Sequence, residues 1–377
     1  MLGLYVHIPF CSAICNYCNF NRGLYDAALK ERYVSALLGE IHRKADGAPA
    51  DTIFFGGGTP SLLEPDEVRR VIDACRQSFA LSPDAEITLE ANPETVTLER
   101  LRGFLDAGVN RLSFGVQSFR DEELLRLTRL HSAGRAREAF GMAQAAGFDN
   151  ISLDLMMWLP QQSVADWMAS VDGLIALGPQ HASLYLLEIY PNAPLRDAMA
   201  RSAWSVAPDD DAAEMYLQAM ARLDEAGYEQ YEISNVSRPG RQSRHNVKYW
   251  TDQEWLGFGC GAHSTRKGVR EKNIAATSDY ISAIAAGDPV GVERRVLSDQ
   301  QRLEEAVFMG LRLAEGIRLD LIESRYGVDI WQRYGEHLQP FVDERLLIYD
   351  DGAVRLTRDG MLLANEVMSV FIGPPVR

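Results

Sequence analysis

Apolar, β-branched or aromatic runs recur along the first half of the chain at Leu4–Ile8, Thr52–Phe55, Glu86–Glu90, Arg111–Phe114, Ile151–Leu155 and Ala182–Leu187. Between them lie longer amphipathic stretches. Short apolar runs predict buried strands, and amphipathic periodicity predicts helices packed over them. Their alternation predicts parallel strands joined by helical crossovers. Six such units fit an incomplete (β/α)6 barrel, an α/β fold whose ligands bind at the carboxyl ends of the strands. From about Pro289 the pattern changes. Helical periodicity over Arg302–Ala314 and Leu319–Arg325 leads to RLLIYDDGAVRLT, where Asp351-Gly352 is a strong hairpin-turn signal, and then to a last amphipathic helix, Arg358 to Phe371. We therefore expect a barrel over residues 1–288 and a small C-terminal α+β domain, winged-helix-like, over 289–377, which covers the barrel mouth or docks a partner.

Hydrophobic residues make up 46% of the 377, but no run approaches the ~20 apolar residues of a membrane span. The formal net charge of −15 argues against a nucleic-acid partner, whose phosphates need a cationic surface. Five cysteines, an odd number, and a strand-like run directly after Met1 rather than a secretory leader argue against a disulfide framework. Both point to a cytoplasmic protein with reduced thiols.

Three of those cysteines, Cys11, Cys15 and Cys18, form C-x3-C-x2-C. Three thiolates hold three irons of a cubic iron–sulfur cluster and leave the fourth open to a small molecule. Zinc with His7, His245 or His263 as a further ligand, or ordinary buried thiols, are the competing readings. A second signal is FFGGGTPS, at the end of the Thr52–Phe55 run. Consecutive glycines let the backbone approach a ligand and turn its N–H groups toward an anion, although a strand-to-helix turn uses glycine too. Glu90, Gln117 and Asp154 end or follow predicted strands, and Arg129 lies in LTRLH. Any one of them alone reads equally well as a cap or loop residue; together they face one mouth.

The cysteine loop combined with the glycine-rich strand end resembles the radical S-adenosylmethionine (SAM) superfamily. YVHIPFC, FFGGGTPS, LEANPE and RLSFGVQSF narrow the likeness to the branch containing oxygen-independent coproporphyrinogen III oxidase and the heme chaperones, over most of the chain from Tyr5 to about Ser264. The resemblance implies a [4Fe-4S] cluster on Cys11, Cys15 and Cys18, and SAM contacts at Tyr5, Tyr17, Gly57, Gly58, Thr59, Glu90, Gln117, Arg129 and Asp154. Asp154 suits the ribose hydroxyls, and Arg129 with Glu90 suits the polar methionine end.

Three features favour the chaperones within that branch. The oxidase has a further cysteine where this chain has Phe20, and a long N-terminal extension where ten residues precede Cys11. In addition, His245-Asn246-Val247-Lys248-Tyr249-Trp250 is similar to the chaperones' HNxxYW motif. Imidazole binds iron, aromatic rings pack on a macrocycle, and cations pair with propionates. Within 231–264, His245 is thus expected as the heme ligand, with Arg238, Arg241, Arg244 and Lys248 as a basic island. Cys260 is an alternative soft ligand, read more simply as a small residue in a tight turn. One departure is Met157-Trp158 in DLMMWLP, where the family has tyrosine and glycine, which adds bulk near the expected SAM site.

Two functions follow from the resemblance. The favoured one is a chaperone that binds heme and delivers it to an acceptor protein such as a respiratory enzyme. The alternative is a radical SAM oxidoreductase that generates a 5′-deoxyadenosyl radical on a tetrapyrrole or other substrate. An electron donor belongs to both. Peripheral membrane contact and pairing of two chains are compatible with the sequence, which assigns no catalytic residue.

Overall fold

β1 (Leu2–Ile8) is buried along nearly its whole length, as a strand covered on both faces must be. In the computed structural model, which describes residues 1–350 and 352–372, it opens a parallel series. The series continues through β2 (Pro49–Gly57), β3 (Ala80–Ala91), β4 (Arg111–Gln117), β5 (Ile151–Met157) and β6 (His181–Leu186). All six expected strands are present. Four of them run one to three residues further at the carboxyl end than the apolar pattern marks, to Gly57, Ala91, Gln117 and Met157. The small and polar side chains there serve the mouth and so do not read as core.

Helices α1 (Ala27–Arg43), α2 (Pro65–Ser78), α3 (Leu98–Ala107), α4 (Asp121–Arg126) with α5 (Ala133–Ala146), and α6 (Val164–Leu177) make the crossovers. Their starts are written locally. The side chains of Asp26, Thr97, Ser132 and Ser163 each accept a hydrogen bond from the N–H three residues on. Gly108, Gly147 and Gly178 end α3, α5 and α6 in the left-handed conformation.

After α7 (Pro194–Ser202) and α8 (Asp209–Glu225) come the short strands β7 (Glu229–Glu232) and β8 (Asn235–Ser237); β8 pairs antiparallel with β6, and β7 antiparallel with β8. Helix α9 (Arg244–Trp250) then crosses to the far side of β1. There β9 (Trp255–Phe258) pairs parallel with β1, followed antiparallel by β10 (His263–Arg266), β11 (Val269–Asn273) and, after α10 (Thr277–Ala286), β12 (Gly291–Val296). The order β12-β11-β10-β9-β1-β2-β3-β4-β5-β6-β8-β7 places β12 and β7 at the two edges of an open barrel. Residues 291–296, expected in the C-terminal part, therefore complete the large sheet.

Beyond them, α11 (Asp299–Gly310), α12 (Leu319–Tyr326) and α13 (Ile330–Asp343) pack with a three-stranded sheet of β13 (Ile317–Arg318), β14 (Leu347–Asp350) and β15 (Ala353–Leu356). Asp351 of the expected turn lies outside the described residues; Gly352 has φ +71°. The last expected helix divides into α14 (Arg358–Leu362) and α15 (Ala364–Ser369), because Leu363, at φ −108°, leaves the helical conformation. Among the described residues, no helix is long and apolar enough to cross a membrane.

Two buried carboxylates fasten the added strands to the barrel. Glu40 of α1 accepts hydrogen bonds from the Gly259 N–H (2.7 Å), Asn273 Nδ2 (2.7 Å) and the Tyr280 hydroxyl (2.6 Å), and pairs with Lys44 at 2.7 Å. Glu86 of β3 accepts the N–H groups of Arg244 and His245, both at 3.0 Å, and so caps α9. Helix α9 lies across the amino end of the strands, where Lys248 pairs with Asp51 (2.7 Å) and donates to the Met1 carbonyl (3.0 Å). Removing Glu40 strands three buried donors and takes the ion-pair partner from the partly exposed Lys44. Glu40→Ala should therefore lower the unfolding free energy by about 3–5 kcal/mol, read as a shift in the urea midpoint.

Candidate functional site

The cysteine segment leaves β1 and is stitched to the end of β2. Gly58 N–H donates to the Ile8 carbonyl (2.8 Å) and Thr59 N–H to the Phe10 carbonyl (2.7 Å), while Phe10-Cys11 pairs with Gly23-Leu24. Across the mouth, Asn16 donates from its backbone to Thr128 Oγ1 (3.0 Å) and from its side chain to the Arg126 carbonyl (2.8 Å). Arg22 holds the far end, donating to the carbonyls of Cys18 and Phe20. So tethered, Cys11, Cys15 and Cys18 stand unpaired and half-buried around one cavity of 430 Å³ at the carboxyl ends of the strands.

Arg129 is the centre of that cavity. Its Nη2 donates to Asn92 Oδ1 (2.7 Å) and the Gly115 carbonyl (2.6 Å), and its Nη1 lies 3.5 Å from both Cys15 Sγ and the Tyr17 hydroxyl. One guanidinium thus joins the cysteine loop to β3 and β4. Its Nε is buried without a partner among the described residues, an orphan donor that fits an anionic group on a ligand. The thiols fit a cluster in the same way. The Thr59 hydroxyl donates to Cys11 Sγ at 3.6 Å and Arg129 Nη1 to Cys15 Sγ at 3.5 Å, so two of the three sulfurs already meet donors at the cavity wall, while burial holds the Cys11 thiol above its usual range until a metal binds it. Among the described residues no three His, Cys, Asp or Glu side chains gather as a single-ion site; the thiols are spread about the cavity instead.

Opposite Arg129 sit two carboxylates. Glu90 accepts the Gly57 N–H at 3.2 Å, and Asp154 accepts the Ser113 hydroxyl at 3.2 Å. Burial, and secondarily the charge of Asp154, push Glu90 up to about 8; burial raises Asp154 as well. Both also border an inner cavity of 160 Å³ shared with Tyr5, Arg111, Asn246 and Tyr249.

Tyr17, Gly57, Gly58, Thr59, Glu90, Gln117, Arg129 and Asp154 therefore share one cavity with the three cysteines. Tyr5 belongs to the inner cavity, where its hydroxyl meets His7 Nδ1 at 3.1 Å. His7 uses its other nitrogen on the Asn21 carbonyl (2.7 Å), so both ring nitrogens are engaged away from the cysteines. The glycines act differently from expectation. Their N–H groups are committed to Glu90 and Ile8, and the missing side chains let chain segments meet. A Cβ on Gly57, at φ +111°, would lie 2.5 Å from the His7 ring, and one on Gly58 would lie 2.7 Å from the Phe10 carbonyl.

His245 departs furthest from its expected place. It is fully buried at the amino end of the barrel, bonded through Nδ1 to Thr52 Oγ1 (2.7 Å) and through Nε2 to the Tyr249 hydroxyl (2.9 Å), with Phe54 stacked at 5.2 Å. Neither nitrogen is open to iron in this conformation. Of the expected basic island, Arg238 stacks on Tyr228 and Lys248 is buried beside Asp51. Cys260 is the expected small residue of a turn, buried between Gly259 and Gly261 at φ +96° and +70°. Trp158 puts no bulk into the mouth. At φ +63° it takes a conformation glycine favours, and its indole N–H reaches the Ala207 carbonyl at 2.8 Å. Asn92, Ser113 and Gly115 were missed. Strand alternation carries a signal for two of them, since Asn92 lies two residues beyond Glu90 and Ser113 four before Gln117.

Two measurements test this geometry. In Arg129→Lys a point charge replaces a fork that reaches four partners, so SAM affinity should fall about tenfold or more, read by calorimetry on cluster-loaded protein. Glu90 keeps its proton to about 8 in the folded protein but releases it near 4.5 when unfolded. The native state thus binds more protons across that window, and ligand-free protein should lose stability as pH rises from about 4.5 through about 8. Glu90→Gln should flatten that stretch of the thermal denaturation profile.

Comparison with known proteins agrees with this geometry. A family model described as the radical SAM superfamily matches residues 5–174, and one described as the HemN C-terminal domain matches 297–363. The chain is 35% identical over 378 residues to the heme chaperone HemW of Bacillus subtilis (strain 168), covering 99% of this chain and 100% of that protein. It is 36% identical over 383 residues to the bovine (Bos taurus) mitochondrial radical S-adenosyl methionine domain-containing protein 1, covering 97% and 86%. Escherichia coli coproporphyrinogen III oxidase (HemN), a solved radical SAM enzyme, superposes with a TM-score of 0.86 at 23% identity, covering 98% and 89%, and shares the fold. Cysteine loop, strand-end cavity and full-length relatives together place the chain in the radical SAM superfamily, which binds a [4Fe-4S] cluster and SAM, and within it in the HemN/HemW branch.

Proposed function

We propose that the protein is a heme chaperone on a radical SAM scaffold, binding a cluster, SAM and heme, and delivering the heme to an acceptor protein in the cytoplasm. The observation that carries this reading is the match to a heme chaperone across 99% of this chain and 100% of that relative. Phe20, exposed at the rim of the cysteine cavity, supports it as the residue standing where the oxidases have a further cysteine.

Cys11, Cys15 and Cys18 would hold the cluster, and Arg129, Glu90 and Asp154 the polar groups of SAM. When bound, SAM supplies a sulfonium bond that a reduced cluster can break. The chain's own part is to fix that ligand in the mouth and to hold Glu90 protonated beside Asp154 until a cation or hydroxyl meets them. A respiratory enzyme as acceptor, a separate electron donor and pairing of two chains belong to the same reading.

The polar completeness of the SAM cavity favours one alternative, an enzyme that cleaves SAM on a tetrapyrrole. An anaerobic heme titration of the cluster-loaded protein, followed by transfer to a heme-free acceptor and a SAM-cleavage assay, separates the two. The chaperone predicts stoichiometric heme uptake, transfer, and little 5′-deoxyadenosine. No heme uptake with rapid SAM turnover would replace it with the enzyme.

A further inference from the structure

A second and larger cavity, 680 Å³, lies outside the barrel floor, between the end of α9 and its connection to β9, the strand β10 with the β10–β11 turn, and α11. Its volume falls within the roughly 300–1,000 Å³ range of small-molecule sites. The aromatic residues of HNVKYW face it. Tyr249 and Trp255 meet edge to face at 4.8 Å, and Trp250 stands at 71° to Tyr249 with its indole N–H buried and without a partner among the described residues. Arg312 covers Trp250 at 4.4 Å, fixing that ring. Three large rings at one corner suit a flat apolar ligand rather than a sugar or a nucleotide phosphate.

At the same cavity stands His263, the first residue of β10 and exposed. Its carbonyl accepts the Trp255 indole N–H at 3.1 Å, which fixes the backbone, while its imidazole makes no hydrogen bond among the described residues. The rim also carries cations held to different degrees. Arg270 is locked to Glu305 by two bonds of 2.9 and 2.8 Å, and Arg325 to Asp252 at 2.9 Å. By contrast, Arg302 has a single long ion pair, to the exposed Asp299 at 3.4 Å, with the Tyr326 ring 5.7 Å away, and Lys267 makes no ion pair among the described residues. An open imidazole, an aromatic wall and two loosely held cations are the donor set for an iron tetrapyrrole with carboxylate side chains.

We propose that heme binds in this outer cavity, with its macrocycle against Tyr249, Trp250 and Trp255, His263 as an axial ligand, and Lys267 and Arg302 on the propionates. The proposal rests on the heme-carrying reading and gives it a location. His245 then acts as a positioning residue. Anchored to Thr52, it holds the Tyr249 hydroxyl at 2.9 Å and so sets one wall of the cavity. That assignment accounts for a buried histidine beside a tyrosine that borders both the inner and the outer cavity and a tryptophan that lines the outer one. Because the SAM cavity lies at the opposite end of the strands, heme and SAM bind together. A single protein ligand on a solvent-reachable rim suits cargo that must leave.

The test titrates hemin into cluster-loaded parent, His263→Ala, His245→Ala and Lys267→Ala/Arg302→Ala, following the Soret band and the dissociation constant with and without saturating SAM. His263→Ala should shift the Soret band and weaken binding by about tenfold or more, in the range seen when partners of metal ligands are lost. The double variant should weaken binding without that shift. His245→Ala should leave the band position in place, and SAM should displace no heme. An unchanged band and affinity in His263→Ala, loss of the axial signature in His245→Ala instead, or displacement of heme by SAM would overturn the location while leaving the chaperone reading intact. A parent that takes up no hemin would overturn both. His263 is exposed, so its variant tests ligation rather than folding; far-UV circular dichroism and retained SAM binding check this.

Discussion

A guanidinium taken out of water must be met by acceptors, and Arg129 meets that demand by drawing three pieces of chain to one point. Asn92 and the Gly115 carbonyl come from neighbouring strand ends, and Cys15 and Tyr17 from a loop more than a hundred residues away. Without them the charge would be stranded at large cost. The cation therefore fixes the distance between the cysteine loop and the strand ends, and with it the distance between any cluster and any ligand in the mouth.

The rest of the polar interior follows the same logic in reverse. Burial raises both Glu90 and Asp154, and the charge of Asp154 pushes Glu90 further up, with Arg111 beside them as the compensating charge. An interior of this kind is stable when empty yet ready to ionise when a cation arrives, a property an apolar barrel lacks. The floor is sealed by different means. Glu86 caps α9, Lys248 pairs with Asp51, and His245 fills the axis.

What could be read in the sequence was whatever local rules write. Apolar runs located all six parallel strands, and the cysteine spacing with the strand-end polar residues located the mouth. Long-range commitments were not legible. Gly57 and Gly58 looked like ligand-facing backbone because nothing local reveals that His7 and Phe10 press against them. His245 looked like an open ligand because the two groups that occupy it are a threonine 193 residues away and a tyrosine one helical turn on. The end of the large sheet at β12 was hidden for a similar reason, since GVERRV is an exposed, charged edge strand and does not read as part of a buried sheet.

Trp158 alters how the chain beside the mouth is held. A glycine at φ +63° would satisfy the backbone and leave the strand end free of the segment beyond it. The indole instead ties the end of β5 to the Ala207 carbonyl, and beside it the Gln161 N–H holds the Ser205 carbonyl at 2.9 Å, so the connection from α7 to α8 is pinned to the barrel. The left-handed tryptophan costs local strain of about 1–3 kcal/mol. In return, the chain that follows α7 is anchored to a strand end beside the SAM cavity, and the ring that anchors it stays out of the cavity itself.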